Sequence, residues 1–370
     1  MAAALALDAA GNVYVTGITT SADFPGVDAD SADNTFGGHD AFVAKLDDQL
    51  NTLLAATFLG GSAGGGSCAD SASALALDAA GHVYVAGITF CSDFPGVDGG
   101  SADSIFAGGE GFVAKLDPSL STIVAATFLG GGNDGCDSDA INSLTLDATG
   151  AVYVAGDTFC SDFPGVDGGS ADSTFAGNRE GFVGRLDANL SVLLGATFLG
   201  GSRSEQIRAL ARDATGAVYV AGHTSSADFP GVDAGSADST FTGEHEAFVA
   251  KLDPALSTVL AATFLGGSGL ANPTHFDRAH ALALDAAGNV YVAGETDSAD
   301  FPGVTAGSAD STFAGESEAF VAKLDPSLSA LLAATFLGGS ASSPVNVQEP
   351  VRALALDGAG NVYVAGGTPS

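Results

Sequence analysis

"LALDAAGNVYVTG" occupies residues 5–17, and the same line returns as "LALDAAGHVYVAG" from Leu75, "LTLDATGAVYVAG" from Leu144, "LARDATGAVYVAG" from Leu210, "LALDAAGNVYVAG" from Leu282 and "LALDGAGNVYVAG" from Leu354. The tyrosines inside it, Tyr14, Tyr84, Tyr153, Tyr219, Tyr291 and Tyr363, are 70, 69, 66, 72 and 72 residues apart. A near-constant period of that size marks one structural unit repeated in space. "ALALD" alternates small and large residues, "AAG" turns, and "NVYVAG" returns with β-branched and aromatic residues, which together read as a hairpin. Asp8 opens the turn by accepting backbone N–H bonds, and Gly11 supplies the positive φ the turn needs. A second hairpin follows: "FVAKLD", "PSLS" and "TIVAATFLGG" over residues 112–131, recurring over 248–267, with Asp-Pro setting its turn. "LSTIVAATFLGG" also has the composition of a short helix that Asp-Pro could cap. Its Thr-Phe-Leu-Gly-Gly ending, and the partner strand just before it, favour a strand.

Four short strands per unit, joined by tight turns and repeated radially, describe an all-β chain of β-propeller blades. A β-solenoid would need shorter coils, and an α-solenoid amphipathic helices that this sequence lacks. Six inner and five outer hairpins give 22 strands. The expected organisation is a single propeller domain over 1–370, with complete blades at about 3–61, 72–131, 140–201, 207–267 and 280–339 and a two-stranded partial blade at 352–368. On this count the chain forms an incomplete or open ring and is part of a larger propeller. "MAAALALD" enters the repeat directly, without a charged n-region, apolar core or cleavage site, and reads as the start of a chain cut from something longer.

"D-x-x-G-N-V-Y-V-x-G-x-T", then "S-x-DFPG", then "AFVAKLDPSLS…ATFLGGS" resemble the seven-bladed β-propeller repeat called SBBP, over nearly the whole chain. The resemblance implies a propeller fold in a large secreted or surface protein of bacteria or archaea, and it implies no reaction. The chain departs from the pattern at Arg212, where a strand leucine stands in other units, and in longer loops before units 5 and 6.

Hydrophobic residues at 46% and a mean hydropathy of +0.30 exclude a disordered chain despite the net charge of −33. No apolar run is long enough to span a membrane as a helix. With 44 acidic against 11 basic residues, long-range repulsion argues against nucleic acid and anionic lipid as partners. Five of the bases, Lys45, Lys115, Arg185, Lys251 and Lys323, share one repeat position and so form no basic patch.

Cys68 and Cys136 lie in the loops that enter blades 2 and 3; Cys91 and Cys160 follow the second strand of those blades. Antiparallel connectivity puts both loops of a blade on one face, so the expected disulfides are Cys68–Cys91 and Cys136–Cys160. A zinc site from all four is the rival, although neither pair has the short spacing such sites use; buried free thiols are the plain alternative. Disulfides would mean an oxidising compartment. Acids recur in the same loops: Asp70, Asp139, Glu205 and Asp277 each stand 23 residues before the "DFP" aspartates Asp93, Asp162, Asp228 and Asp300, and Glu349 holds the first position in the partial blade. The favoured role is to fix irregular loops through backbone N–H bonds, and the sharper alternative is one calcium site per blade.

Two columns vary. Two residues before the first strand leucine stand Ala3, Ser73, Asn142, Arg208, His280 and Arg352; just after the "VYVAG" glycine stand Ile18, Ile88, Asp157, His223, Glu295 and Gly367. Both fall near the channel mouth, where propellers tend to bind ligands, so Asn142, Asp157, Arg208, His223, His280 and Glu295 form the candidate ligand site, against unconstrained surface drift. Glu295 is expected to be exposed on that rim. The one G-x-S-x-G match, Gly60–Gly64, has no helix after it and is not a nucleophile elbow. No H-E-x-x-H or phosphate loop is present, and there is no tryptophan for sugar stacking.

These readings point to a non-enzymatic, extracellular or cell-surface module with a scaffolding or adhesion role toward a protein or glycan. No cofactor is expected unless calcium binds. One alternative is a calcium- or small-ligand-binding propeller using the rim; another is a metal-assisted hydrolase or lyase with His223, His280 and Glu295 near the axis. The end strand Asn361–Ala365, left as an apolar edge, is expected to self-associate.

Overall fold

The computed structural model describes residues 1–62, 68–132, 138–269, 276–314, 317–339 and 351–367. Among the described residues there are 22 strands and no helix. Blade 1 comprises β1 (Ala2–Leu7), β2 (Val13–Thr19), β3 (Asp40–Leu46) and β4 (Leu53–Leu59). Blade 2 comprises β5 (Asp70–Leu77), β6 (Val83–Thr89), β7 (Glu110–Leu116) and β8 (Ile123–Leu129). Blade 3 comprises β9 (Asp139–Leu146), β10 (Val152–Thr158), β11 (Glu180–Leu186) and β12 (Leu193–Leu199). Blade 4 comprises β13 (Glu205–Arg212), β14 (Val218–Thr224), β15 (Glu246–Leu252) and β16 (Val259–Leu265). Blade 5 comprises β17 (Asp277–Leu284), β18 (Val290–Thr296), β19 (Glu318–Leu324) and β20 (Leu331–Leu337), and the partial blade β21 (Val351–Leu356) and β22 (Val362–Gly366).

Each complete sheet is a meander in chain order, with neighbours antiparallel wherever the register is defined. The stretch that could have been helical is strand β8 and its repeats. The chain divides into two compact units, Met1–Gly168 with Phe182–Thr197, and Gly169–Gly181 with Phe198–Ser370.

The inner turn forms as its chemistry dictates. Asp8 Oδ1 accepts the N–H groups of Ala10 and Asn12, each at 2.9 Å, and Gly11 sits at φ +87°. Asp78, Asp147, Asp213, Asp285 and Asp357 repeat the arrangement. In the outer turn, Asp117 Oδ1 accepts the N–H groups of Ser121 and Thr122 at 2.8 and 2.7 Å. This pulls Leu120 into the left-handed region at φ +61°, a conformation that costs a side-chain-bearing residue about 1–2 kcal/mol. Burial offsets that cost: Leu120 is 1% exposed, and its carbonyl accepts the Ala32 N–H of the preceding blade at 2.9 Å.

Within each unit the core lies between consecutive blades. In the first unit, Tyr14, Val43 and Leu59 of blade 1 pack with Val83, Val85 and Phe112 of blade 2. In the second, Tyr219, Val249 and Leu265 of blade 4 pack with Val290, Val292 and Phe320 of blade 5. Within each blade the phenylalanine of "DFPG" stacks on that of the third strand, as Phe94 does on Phe112 with ring centres 4.4 Å apart.

Candidate functional site

The first variable column turns out to be a column of β-bulges. In β13, Ile207 pairs with Gly222 and Ala209 with Ala221, so Arg208 is the extra residue; in β17 the same shift leaves His280 out of register, and in β9 Asn142. A bulge re-aims one side chain while the ladder continues. It also explains the glycine that closes "VYVAG". A Cβ at Gly222 would meet the Gln206 carbonyl oxygen at 1.8 Å, and one at Gly294 the Arg278 carbonyl oxygen at 1.9 Å.

The structure brings the two columns together blade by blade. In the first unit, Asn142 Nδ2 donates to Asp157 Oδ1 at 2.8 Å, and Asp157 is buried. In the second unit, His280 Nε2 lies 3.4 Å from Glu295 Oε1, and Arg278 Nη1 donates to the same oxygen at 3.2 Å. Glu295 therefore does not sit exposed on a rim: it is 2% exposed, a correction to the sequence reading. Arg278 faces Glu295 directly across the β17–β18 ladder. Despite burial, the carboxyl of Glu295 is held below its ordinary range by His280 and Arg278.

Arg208 Nη2 donates to Gln206, and Gln206 faces His223 across the β13–β14 ladder. His223 Nδ1 is buried, and among the described residues it has no hydrogen-bond partner. Burial, then the positive charges of Arg278 and Arg208, with His245 and His280 behind them, pushes the His223 imidazole well below its usual range. His245 packs edge-on against His223 with ring centres 5.7 Å apart, and its Nδ1 lies 2.8 Å from Ser225 Oγ. Arg278 and His245 escaped the sequence reading. The signal lay in a third column, Ser71, Ala140, Gln206 and Arg278, which pairs across the strands with Ile88, Asp157, His223 and Glu295.

The recurring acids hold backbone. Asp70 Oδ2 accepts the Gly61 N–H at 3.0 Å and Asp93 Oδ1 the Ser62 N–H at 3.0 Å, so both grip the loop leaving blade 1. Asp139 and Asp162 do the same to Gly131 and Gly132, and Asp277 and Asp300 to Gly267 and Ser268. Asp228 takes the Ser202 N–H, while Glu205 Oε1 accepts the hydroxyls of Thr224 and Ser226. Each strand-head acid also meets another that the sequence reading passed over. A Cβ at Gly200 would lie 1.9 Å from Glu180 Oε2 and 2.5 Å from Glu205 Oε2. Burial pushes Glu180 up to about 8 and Asp70 up to about 7. Oxygens are the donors a hard cation takes, but most of these are engaged in holding the loops.

Cys68 and Cys91 form a disulfide with Cα atoms 5.2 Å apart. Asp70 lies against it; these three make the one group of metal-ligand type among the described residues, and the disulfide occupies both sulfurs. Cys160 is buried with Sγ 3.4 Å from Asp139 Oδ2. Cys136, Glu349 and Gly64 of the G-x-S-x-G match lie outside the described residues.

Residues 277–302, which include β17 and β18, match the SBBP family, described as a beta-propeller repeat. No curated protein matches the chain. Among solved structures, the Dos1 propeller is similar over 98% of this chain and 74% of its own, at 11% identity and a TM-score of 0.44. BamB from Moraxella catarrhalis is similar over 98% and 81%, at 12% identity and a TM-score of 0.38. A luciferin-regenerating enzyme is similar over 99% and 83%, at 12% identity and a TM-score of 0.40.

Proposed function

We propose that this chain, which carries the SBBP β-propeller repeat at residues 277–302, is an extracellular, non-catalytic propeller module with an interaction role in a larger surface assembly. The observation that carries this reading is the division of labour along the repeat. The recurring polar groups, from the turn aspartates to the loop-gripping acids, make contacts within and between blades, while chemical variety gathers in the bulge column and in the facing pairs Ser71–Ile88, Ala140–Asp157, Gln206–His223 and Arg278–Glu295. The buried Cys68–Cys91 disulfide supports an oxidising compartment. The test is to screen the oxidised protein against glycan and surface-protein arrays alongside generic ester, phosphoester and glycoside substrates. Saturable binding without turnover supports the reading, and turnover abolished by changing His223 or His280 refutes it.

A second reading is favoured by His223. Its unpartnered Nδ1 lies where Arg208, Arg278 and His280 converge in a chain of net charge −33, and such a spot suits a small oxyanion, carboxylate or sulfate. Bound anion would offset the surrounding positive charge and raise the His223 pKa. Histidine NMR titration with and without sulfate and acetate tests this, and an unmoved His223 curve removes the site.

A further inference from the structure

Within each compact unit, consecutive complete blades are joined by one repeated latch. Tyr14 hydroxyl and Lys45 Nζ of blade 1 both donate to the Pro118 carbonyl of the blade 2 outer turn, at 3.0 and 3.2 Å, while Ala32 N–H takes the Leu120 carbonyl. Tyr84 and Lys115 grip the Ala188 carbonyl of blade 3, both at 3.1 Å, and Ala102 takes Leu190. Tyr219 and Lys251 grip the Pro326 carbonyl of blade 5 at 2.9 and 3.1 Å, and Ala237 takes Leu328. In each case the guest is an Asp-x-x-Leu turn whose left-handed leucine is at most 1% exposed.

Blade 5 carries the same three donors, Tyr291, Lys323 and Ala309, and among the described residues no carbonyl takes any of them. They line a groove with Ala333, Ala334 and Val362. The matching groove of blade 2, formed by Gly96, Ser101, Val124 and Ala126, holds Asn189 and Leu190 of the next blade. Among the described residues nothing covers the outer half of blade 5: Leu337 is 41% exposed where Leu265 of blade 4 is 1%. The inner half is covered, since Val351, Leu354 and Val364 of the partial blade pack on Ala293, Ala319 and Val321. Beside the groove, β22 presents a free edge, and Tyr363 on it is 61% exposed.

We propose that this groove is a docking site for one kind of polypeptide partner: a β-hairpin, not already built into a blade, that bears the repeat's own Asp-x-x-Leu outer turn. The turn carbonyl accepts from Tyr291 and Lys323, the left-handed leucine fills the groove with its carbonyl on Ala309 N–H, and the first strand of the hairpin pairs with β22. The occupant's chemistry follows from the three filled latches, and main-chain pairing to a sheet edge supplies the remaining affinity.

The experiment uses the full chain and a fluorescently labelled peptide of sequence EAFVAKLDPALSTVLAATFLGG, residues 246–267. Fluorescence anisotropy should show saturable binding. A peptide carrying Leu256→Asp, and a chain carrying Tyr291→Phe with Lys323→Met, should each weaken it at least tenfold. Both chain substitutions keep the apolar bulk of the side chain, and an unchanged melting profile of the variant separates lost docking from lost folding. Absence of binding, or equal binding by the Leu256→Asp peptide or by the double variant, overturns the proposal. So does concentration-dependent dimerisation that the double variant abolishes, since the groove would then belong to a second copy.

Discussion

Glu110 and Asp139, from neighbouring blades, meet over Gly130: a Cβ there would lie 2.1 Å from Glu110 Oε2 and 2.3 Å from Asp139 Oδ2. Among the described residues Glu110 Oε2 has no hydrogen-bond partner, and Asp139 Oδ2 already holds the Gly131 N–H. A proton on Glu110 removes the repulsion between the two buried carboxylates. Burial, with Asp139, Asp103 and Asp162 nearby, pushes Glu110 up to about 8, and burial pushes Asp139 up to about 7.

The folded chain thus binds protons that the unfolded chain releases above pH ~4. The stabilisation is complete below that pH and is lost as pH rises toward 8. Thermal melts at constant ionic strength should give a higher Tm at pH 5 than at pH 8.5, and Glu110→Gln should flatten the difference. A slope unchanged by Glu110→Gln would remove the pair from the account.

The outer turns predict opposite signs at one repeat position. Leu120 is buried, so Leu120→Ala should cost about 2–5 kcal/mol. Leu50 has the same left-handed backbone, φ +57°, but is 64% exposed, so Leu50→Gly should stabilise by about 1 kcal/mol through strain relief. Denaturant melts of the two variants decide the matter, and destabilisation by Leu50→Gly would mean that this side chain is covered in solution.

Removing the Cys68–Cys91 bond with serines at both positions should lower stability by about 3 kcal/mol, since it frees a loop of 23 residues. Non-reducing peptide mapping should find this pair and Cys136–Cys160. Pairing across blades would overturn the assignment of both loops to one face.

Glu295→Ala strips Arg278 and His280 of a shared, buried partner and should cost about 2 kcal/mol. The expected companion effect is a further fall in the His223 pKa, because the Arg278 charge that already lowers it loses its counter-charge. Histidine NMR on the variant reads both the fold and that shift, and an unmoved His223 would mean the two blades do not communicate electrostatically.

The hairpins were legible because strand alternation and the Asp…Gly turn are local properties, complete within a dozen residues. The bulges at Arg208 and His280 were not, because an extra residue shows only when β13 is aligned against β14 and β17 against β18, and without the second Glu295 reads as a rim position. Leu120 and its repeats gave no turn signal, since leucine is not a residue type associated with positive φ. Glu110 and its counterparts were visible at the head of every third strand, yet their partners stand in the next unit, and single-chain spacing does not reveal that meeting.

The latch has a direction, and with it a history. Blades 1, 2 and 4 each carry a hand (the tyrosine, the lysine and the alanine N–H), and the outer turns of blades 2, 3 and 5 are the handles those hands hold, so a segment copied in tandem carries both halves of its joint. Recombination can lengthen or shorten such an array without inventing a new contact, and the few positions left outside the joint are free to diverge.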